Sequence, residues 1–509
     1  MRSPPSPLTD SIAAAARSTP QDSAARPLGL LALWLLATLG LHPLLVPDEG
    51  RYVGVARAML LGGDWLVPRL DGLPFFHKPP LMYWIDAAAM SVFGINEFAA
   101  RLAPAIGAWV MGAALYFALR RWHGVRAART ALVVLATTPM FFIGGQYANH
   151  DMVVAGFIAA AVFAFAEAAE SGTRRAWQLG WLACALALLA KGLIGVVLPL
   201  VVVGPWLLAR RRWRAIAAGL HPLAWLPGLV LAAPWFVAMQ LRFPEFFDYF
   251  VIEQHFRCYT QTDFNNAQPW WFFVAVLPLL TLPWSLAAPR SLLRAWRERS
   301  GAAGHWLGLY AWWVAAIMLF FSLPVSKLVG YVLPVVAPWC VLIALGLDPA
   351  GRNWRIGAVL GAVTCLTVIG VLAVQAPKST RPAGLALAAA HAPGDTVVFV
   401  DEMFYDLPFY ARLDAPVLVA SRWDDPAVRQ VDNWRKELAD AARFDASAAR
   451  VLVPLDRLDA LACGAGGSVW FVGKPGEHRD ALAQVRGLVS VYSDRRVELQ
   501  RAPRHACPR

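Results

Sequence analysis

Long apolar runs separated by short arginine-rich connections recur from residue 27 to residue 376. Spans are predicted at 27–46, 98–119, 130–147, 152–169, 176–190, 192–208, 222–241, 270–288, 306–323, 328–346 and 355–376, each near the ~20 residues that a bilayer crossing needs. Threading them as eleven crossings puts five arginine clusters on the side of the N-terminus. These are Arg120/Arg121/Arg126/Arg129, Arg174/Arg175, Arg210/Arg211/Arg212/Arg214, Arg290/Arg294/Arg297/Arg299 and Arg352/Arg355. Arginine and lysine are retained on the cytoplasmic side, so the opposite face is expected to be periplasmic in a bacterial inner membrane. Residues 1–26, rich in Ser, Pro, Ala and Arg, read as a disordered cytoplasmic tail. Leu44-Leu45-Val46-Pro47-Asp48 has no small-x-small cleavage site, so the first span is expected to stay as an anchor.

The pattern changes at residue 377. Short β-rich runs at Thr396–Val400, Val417–Ala420, Arg450–Pro454, Val469–Val472 and Arg496–Leu499 alternate with helix-like stretches at Asp425–Phe444 and Glu477–Arg486. That is the pattern of a small soluble α/β domain over 377–509. It contains no Gly-rich phosphate loop, and support or gating of the membrane part is its expected role. The predicted fold is therefore mainly α: a polytopic helical membrane domain over 27–376 and a C-terminal α/β domain on the periplasmic side.

Composition agrees with this division. The chain has 509 residues, 58% of them hydrophobic, and a mean hydropathy of +0.48, too apolar for a soluble protein. Its 23 tryptophans suit a protein with two membrane interfaces to line. A net charge of +12 raises nucleic-acid binding, but the arginines lie between apolar spans, and the positive-inside rule accounts for them. No nucleic-acid partner is expected; attraction to anionic membrane lipid is compatible with the charge. The six cysteines show no metal-ligand spacing. Cys463 and Cys507 can pair if their domain is periplasmic, and no disulfide is assigned.

Unusual polar residues gather on one face. The loop 47–97 carries Asp48, Glu49, Arg51, Tyr52, Lys78 and Tyr83 among prolines and aromatics. Charge at a membrane boundary is costly unless it faces water, a partner or a ligand. Pro79 and Pro80 stiffen the chain after Lys78, and the apolar LMYWIDAAAMSVF that follows suits a helix lying at the interface. Asp151 follows Asn149-His150 where another span meets the same face; its structural alternative is a helix N-cap. Lys327 and Tyr331 are four apart and would share one helical face, the alternative being a snorkelling lysine and an interfacial tyrosine. Asp48, Glu49 and His150 are too few and too irregular to argue for a metal site, and no metal or cofactor is required by the sequence.

In order, Asp48-Glu49-x-Arg51-Tyr52, Gly63-Asp64-Trp65, Lys78-Pro79, Tyr83-Trp84 and Phe98-x-x-Arg101 resemble the first periplasmic loop of bacterial GT-C glycosyltransferases that use polyprenyl-phosphate sugars. The nearest resemblance is to the lipid A aminoarabinose transferase (ArnT) group, with protein O-mannosyltransferases more distant. Gln146–Asp151, Lys191-Gly192 and Lys327-Leu328-x-x-Tyr331-x-x-Pro334 extend it. The resemblance implies a GT-C fold with up to thirteen membrane helices. It also implies transfer of an amino sugar from undecaprenyl phosphate to lipid A or a related envelope acceptor. Such a transfer needs cations on the leaving phosphate and a carboxylate near the reacting carbon. Lys78, Lys327, Tyr331 and Arg257 are expected to hold the phosphate, and Asp48 and Asp151 to face the sugar. Glu49, Arg51, Tyr52, Tyr83, Lys191 and His255 are expected to bind substrate.

The chain departs from the family at three places. His77 stands where a Glu is usual before Lys-Pro, Gly50 replaces a commoner Thr, and in His255-Phe256-Arg257-Cys258-Tyr259 the arginine falls one place early. A protein O-glycosyltransferase is the alternative of the same class, and a lipid-linked sugar transporter or flippase that of another. Against the transporter, no internal repeat or pair of broken spans at corresponding positions is visible.

Overall fold

The computed structural model describes residues 23–257, 266–298, 304–347, 352–375, 378–463, 466–477 and 479–504. Among the described residues, six helices are long and apolar enough to cross a membrane: Ala99–Trp122, His150–Ser171, Trp213–Arg242, Gly304–Ser322, Val329–Gly346 and Trp354–Gln375. Two bent pairs, Gly124–Ala136 with Pro139–Gly145 and Phe272–Leu280 with Trp284–Arg294, raise the number to as many as eight. The first pair bends by 69° at Pro139, which opens its second piece, because proline has no N–H to continue the ladder. Ala25–Leu36 and Ile194–Ala209 are apolar but shorter. Arg174–Lys191 fills the predicted 176–190 span. Every expected span thus falls on a helix or a bent pair, but the first stops at Leu36 instead of running to 46.

The loop 47–97 folds into three parts. A helix over Asp48–Gly62 starts directly after Pro47, with two carboxylates in its first turn, and ends at Gly63 with φ +68°. Acidic residues favour a helix N-terminus, and glycine adopts the left-handed stop without strain. A two-stranded hairpin follows, β1 (Arg69–Leu70) and β2 (Leu73–Pro74), closed by Asp71 and Gly72, both at positive φ. The expected interfacial helix spans Leu81–Phe93.

The C-terminal part holds a six-stranded sheet of β3 (Thr396–Val400), β4 (Leu418–Ser421), β5 (Leu452–Pro454), β6 (Val469–Gly473), β7 (Val489–Ser493) and β8 (Glu498–Ala502). Their order is β5-β4-β3-β6-β8-β7. The β5-β4-β3-β6 portion is parallel and β6-β8-β7 antiparallel. Central β3 and β6 are buried over nearly their whole length, as parallel strands covered on both faces are. The helix-like 425–444 stretch resolves into a 3-10 turn at Pro426–Arg429 and a helix at Trp434–Ala442. This domain packs on the polar end of the bundle. Gly50 shows how closely: a Cβ there would lie 2.8 Å from the Asp406 nitrogen, so the threonine usual at this position has no room.

Candidate active site

Between the bundle and the C-terminal domain lies a cavity of about 1180 Å³. Asp48, Arg51, Tyr52, Lys78, Asp151, Lys191 and Tyr331, all expected from sequence, line it together. The residues come from distant segments, and the reason they meet is local in each case. Lys191 closes the helix Arg174–Lys191 just before Gly192. Asp151 lies in the first turn of the antiparallel neighbour His150–Ser171, and the two form an ion pair. Each charge complements the helix end it occupies. The cap of that second helix is Asn149, whose side chain accepts from the Asp151 N–H; Asp151 itself is free of that task. The Tyr331 ring lies 5.0 Å from Lys191 Nζ. Gly330 packs on the Asp151 carboxylate so tightly that any side chain would collide with it.

Asp48 projects from the first turn of its helix. Arg51, one turn on, donates to Asp48 at 2.6 Å and to Glu437 of the C-terminal domain at 2.6 Å. Tyr147 and Asn149 each donate to the other Asp48 oxygen at 3.3 Å. Glu437 also accepts from the Tyr405 hydroxyl at 2.9 Å and lies 3.7 Å from His77 Nδ1. Burial, reinforced by Lys78 and Arg51, holds the His77 imidazole well below its usual range and so neutral. The C-terminal domain thus supplies a carboxylate beside the position where this chain has histidine. Lys78 donates to the His77 carbonyl at 3.0 Å and faces the cavity.

Three expectations are corrected. Glu49 does not face the cavity. It is fully buried and bonded to Arg101 at 2.7 and 2.9 Å. Its remaining capacity is taken by the Leu45 and Ala148 N–H groups, each at 2.7 Å. Tyr83 is also fully buried, its ring edge-on to His150 at 5.0 Å, and does not line the cavity. Lys327 precedes rather than joins the 3-10 helix Val329–Val332, so the shared helical face with Tyr331 does not exist. Its ammonium donates to the carbonyls of Gln268, Pro324 and Val325, where it holds a chain crossing together.

His255 and Arg257 end the helical segment Asp248–Arg257, but their side chains lie outside the described residues. Asp48, Glu49 and His150 do not converge: Asp48 pairs with Arg51, Glu49 with Arg101, and His150 is wrapped by Tyr52 and Tyr83. Among the described residues, no three His, Cys, Asp or Glu side chains are grouped to hold a metal ion. Cys463 is disulfide-bonded; Cys258 and Cys507 fall outside the described residues.

Sequence reasoning missed Glu437, Tyr405 and the structural part played by Arg101. Arg101 carried a signal, since it belongs to the Phe98-x-x-Arg101 element. Glu437 and Tyr405 carried none.

Comparison with known proteins follows the same lines. Residues 77–239 match the family described as dolichyl-phosphate-mannose-protein mannosyltransferase. The chain is 35% identical over 355 residues to the undecaprenyl phosphate-alpha-4-amino-4-deoxy-L-arabinose arabinosyl transferase of Erwinia tasmaniensis, covering 67% of this chain and 64% of that protein. It is 35% identical over 320 residues to the Pseudomonas aeruginosa protein of the same name, covering 62% and 58%. The chain therefore spans somewhat under two thirds of the length of these relatives. In fold it matches the crystal structure of ArnT from Cupriavidus metallidurans bound to undecaprenyl phosphate. There the TM-score is 0.81 and the identity 24%, over 96% of this chain and 100% of that one. The archaeal oligosaccharyltransferase of Archaeoglobus fulgidus is more distant, with a TM-score of 0.52 and 13% identity, over 87% of this chain and 69% of that one. By sequence the chain resembles the aminoarabinose transferases, and by architecture it is a multi-pass membrane protein with the GT-C fold of ArnT.

Proposed function

We propose that this protein is a glycosyltransferase that moves an amino sugar from undecaprenyl phosphate to a phosphate of lipid A or a related envelope acceptor. The observation that carries this reading is the cavity itself, which joins Asp48, Lys78, Asp151, Lys191 and Tyr331 at the end of an apolar bundle. An acceptor phosphate oxygen attacks the anomeric carbon, the bond from that carbon to the carrier's phosphate oxygen breaks, and the carrier leaves as its phosphate anion. Lys78 meets the charge that develops on the leaving group, which is usually the largest catalytic contribution. Lys191, steered by Asp151, and the Tyr331 hydroxyl offer further donors to the same anion. Asp48, held by Arg51, Tyr147 and Asn149, counters positive charge at the anomeric carbon or binds the sugar's amine. A phosphate monoester has its second pKa at about 6, so this acceptor needs no general base near neutral pH.

The same reading puts the cavity and the C-terminal domain on the periplasmic face of a bacterial inner membrane. The arginine clusters lie toward the other end of the bundle, and the disulfide at Cys463 fits an oxidising compartment. No cofactor enters the scheme, so chelation with EDTA should leave the rate unchanged. Protein O-glycosylation is the second reading, favoured by the family match over 77–239.

Purified protein in detergent, given a labelled undecaprenyl-phosphate amino sugar with either lipid A or a serine-containing peptide, tests these readings. Transfer to lipid A is expected; transfer to the peptide alone selects the second reading. Folded protein that transfers to neither overturns both and leaves a transporter. Asp48→Asn adds a check through pH. With a phosphate acceptor its residual rate should respond weakly above pH 7. With a hydroxyl acceptor alkali should partly replace a base normally contributing about 10²–10⁴-fold.

A further inference from the structure

The C-terminal sheet turns one end of its strands toward the Asp48 cavity. β3, β4, β5 and β6 run parallel, so their carboxyl ends lie on one side. β7 is antiparallel to β8, as β8 is to β6, and ends on that side too. In the order β5-β4-β3-β6 the chain steps from β3 through β4 to β5, then returns to the other side of β3 as β6. The loops leaving β3 and β6 therefore part in opposite directions and open a crevice between them. Open α/β sheets bind their ligands in such crevices, outside the carboxyl ends of the strands. Here both loops line the cavity, through Glu402 and Met403 after β3 and through Lys474 and Pro475 after β6. Trp434 in the β4–β5 connection and Arg496 in the β7–β8 turn line it beside them. Among the described residues, the connections at the amino ends of these strands contribute none of the lining.

We infer that this crevice holds a sugar ring of the acceptor, so that the C-terminal domain recognises the second substrate as well as bracing the bundle; this rests on the transferase reading. Asp48, Lys78, Asp151, Lys191 and Tyr331, on the facing wall, all belong to the membrane part, where a carrier with an apolar tail arrives. The opposite wall is left to the acceptor's headgroup. Its chemistry is mixed. Glu402 and Lys474 form an ion pair across the crevice, with side chains 21% and 48% exposed, so each keeps surface toward the cavity. A carboxylate only accepts hydrogen bonds and an ammonium only donates them, whereas a hydroxyl does both. An acid and a base side by side therefore suit the adjacent hydroxyls of a sugar. Arg496, exposed, brings further donors to the same rim. Trp434, half-buried, adds an aromatic surface, and a few convergent polar groups beside such a surface are the usual make-up of a small-ligand site.

Calorimetric titration of the full chain in detergent with lipid A freed of its acyl chains reads headgroup binding without turnover. Steady-state transfer to intact lipid A reads the KM of each substrate. Glu402→Ala with Lys474→Ala removes both members of the pair and so strands neither charge. Losing hydrogen bonds to charged groups should weaken binding of the deacylated lipid A about tenfold and raise the acceptor KM by a similar factor. The donor KM and the melting temperature should stay at their wild-type values. Arg496→Ala, at an exposed position, should act in the same direction and serves if the pair variant does not fold. A wild type that transfers to lipid A without binding the deacylated form overturns the inference and leaves the transferase reading intact. So do folded variants that bind it as the wild type does, or whose donor KM rises with the acceptor KM. A wild type that binds it, loses it in the variants and transfers to nothing overturns the transferase reading and keeps the sugar site.

Discussion

Replacing Arg101 by Met should unfold the polar end of the bundle rather than impair substrate binding. Arg101 is fully buried and pairs with the equally buried Glu49. Its guanidinium also donates to the carbonyls of Leu39, His42 and Pro43, each at 2.8 Å. These contacts fold the chain back after the first helix and set the start of the Asp48 helix; through Ala148 they also reach the turn before His150. Removing one member of a buried pair costs about 3–5 kcal/mol, because the other charge is left uncompensated. Each stranded buried carbonyl adds about 1–3 kcal/mol where water cannot reach it. Even with a single carbonyl stranded, the low end, about 4 kcal/mol, approaches the whole stability of a marginal domain. Glu49→Gln removes the charge and leaves one acceptor oxygen where the Leu45 and Ala148 N–H groups now bond two, but Arg101 keeps its three carbonyl partners, so it should cost less than Arg101→Met. The double variant should be more stable than Arg101→Met alone, with a coupling near the top of the usual ~0.5–3 kcal/mol range. Thermal melts in detergent, followed by fluorescence-detected gel filtration, measure this, with turnover scored on the surviving monodisperse fraction. If Glu49→Gln and Arg101→Met both melt like the wild type while turnover collapses, Glu49 belongs to the substrate site and the structural role argued for it is wrong.

The two lysines expected on the phosphate should separate. Lys78→Ala should lose about 2–4 kcal/mol of transition-state stabilisation with its melting temperature intact, whereas Lys327→Ala should lower the melting temperature and leave the donor KM unchanged. The opposite pattern in steady-state kinetics and melts would return Lys327 to the site. At the hairpin tip, Asp71 accepts from the Val417 N–H at 2.7 Å, and burial pushes its carboxyl up to about 7, above its unfolded value of about 3.9. The folded state then holds the extra proton between those values, so stability falls as pH rises from about 4 to about 7. Asp71→Asn should melt higher than the wild type at pH 8, with the difference shrinking toward pH 4; a difference that does not change with pH refutes the assignment.

Periodicity and composition by themselves determined the helical bundle, the apolar helix Leu81–Phe93 and most of the C-terminal strands, because apolar length and alternation are local properties. β7 escaped notice because it is largely exposed and so lacks the alternation that marks a half-buried strand. Local patterning also marked the face on which Asp48, Lys78, Asp151, Lys191 and Tyr331 meet, since charges at span ends are few. Which of two adjacent carboxylates reaches the cavity was decided only in three dimensions. Successive helical residues point about 100° apart, and Arg101, fifty-two positions from Glu49, claims that side chain for the interior and leaves Asp48 to the cavity. Spacing paired Lys327 with Tyr331 on the premise of a helix that begins two residues too late to include the lysine. The C-terminal wall was least legible. Glu437 reaches Arg51 across 386 positions, and a contact made by docking two separately folded parts leaves no period or motif in either of them.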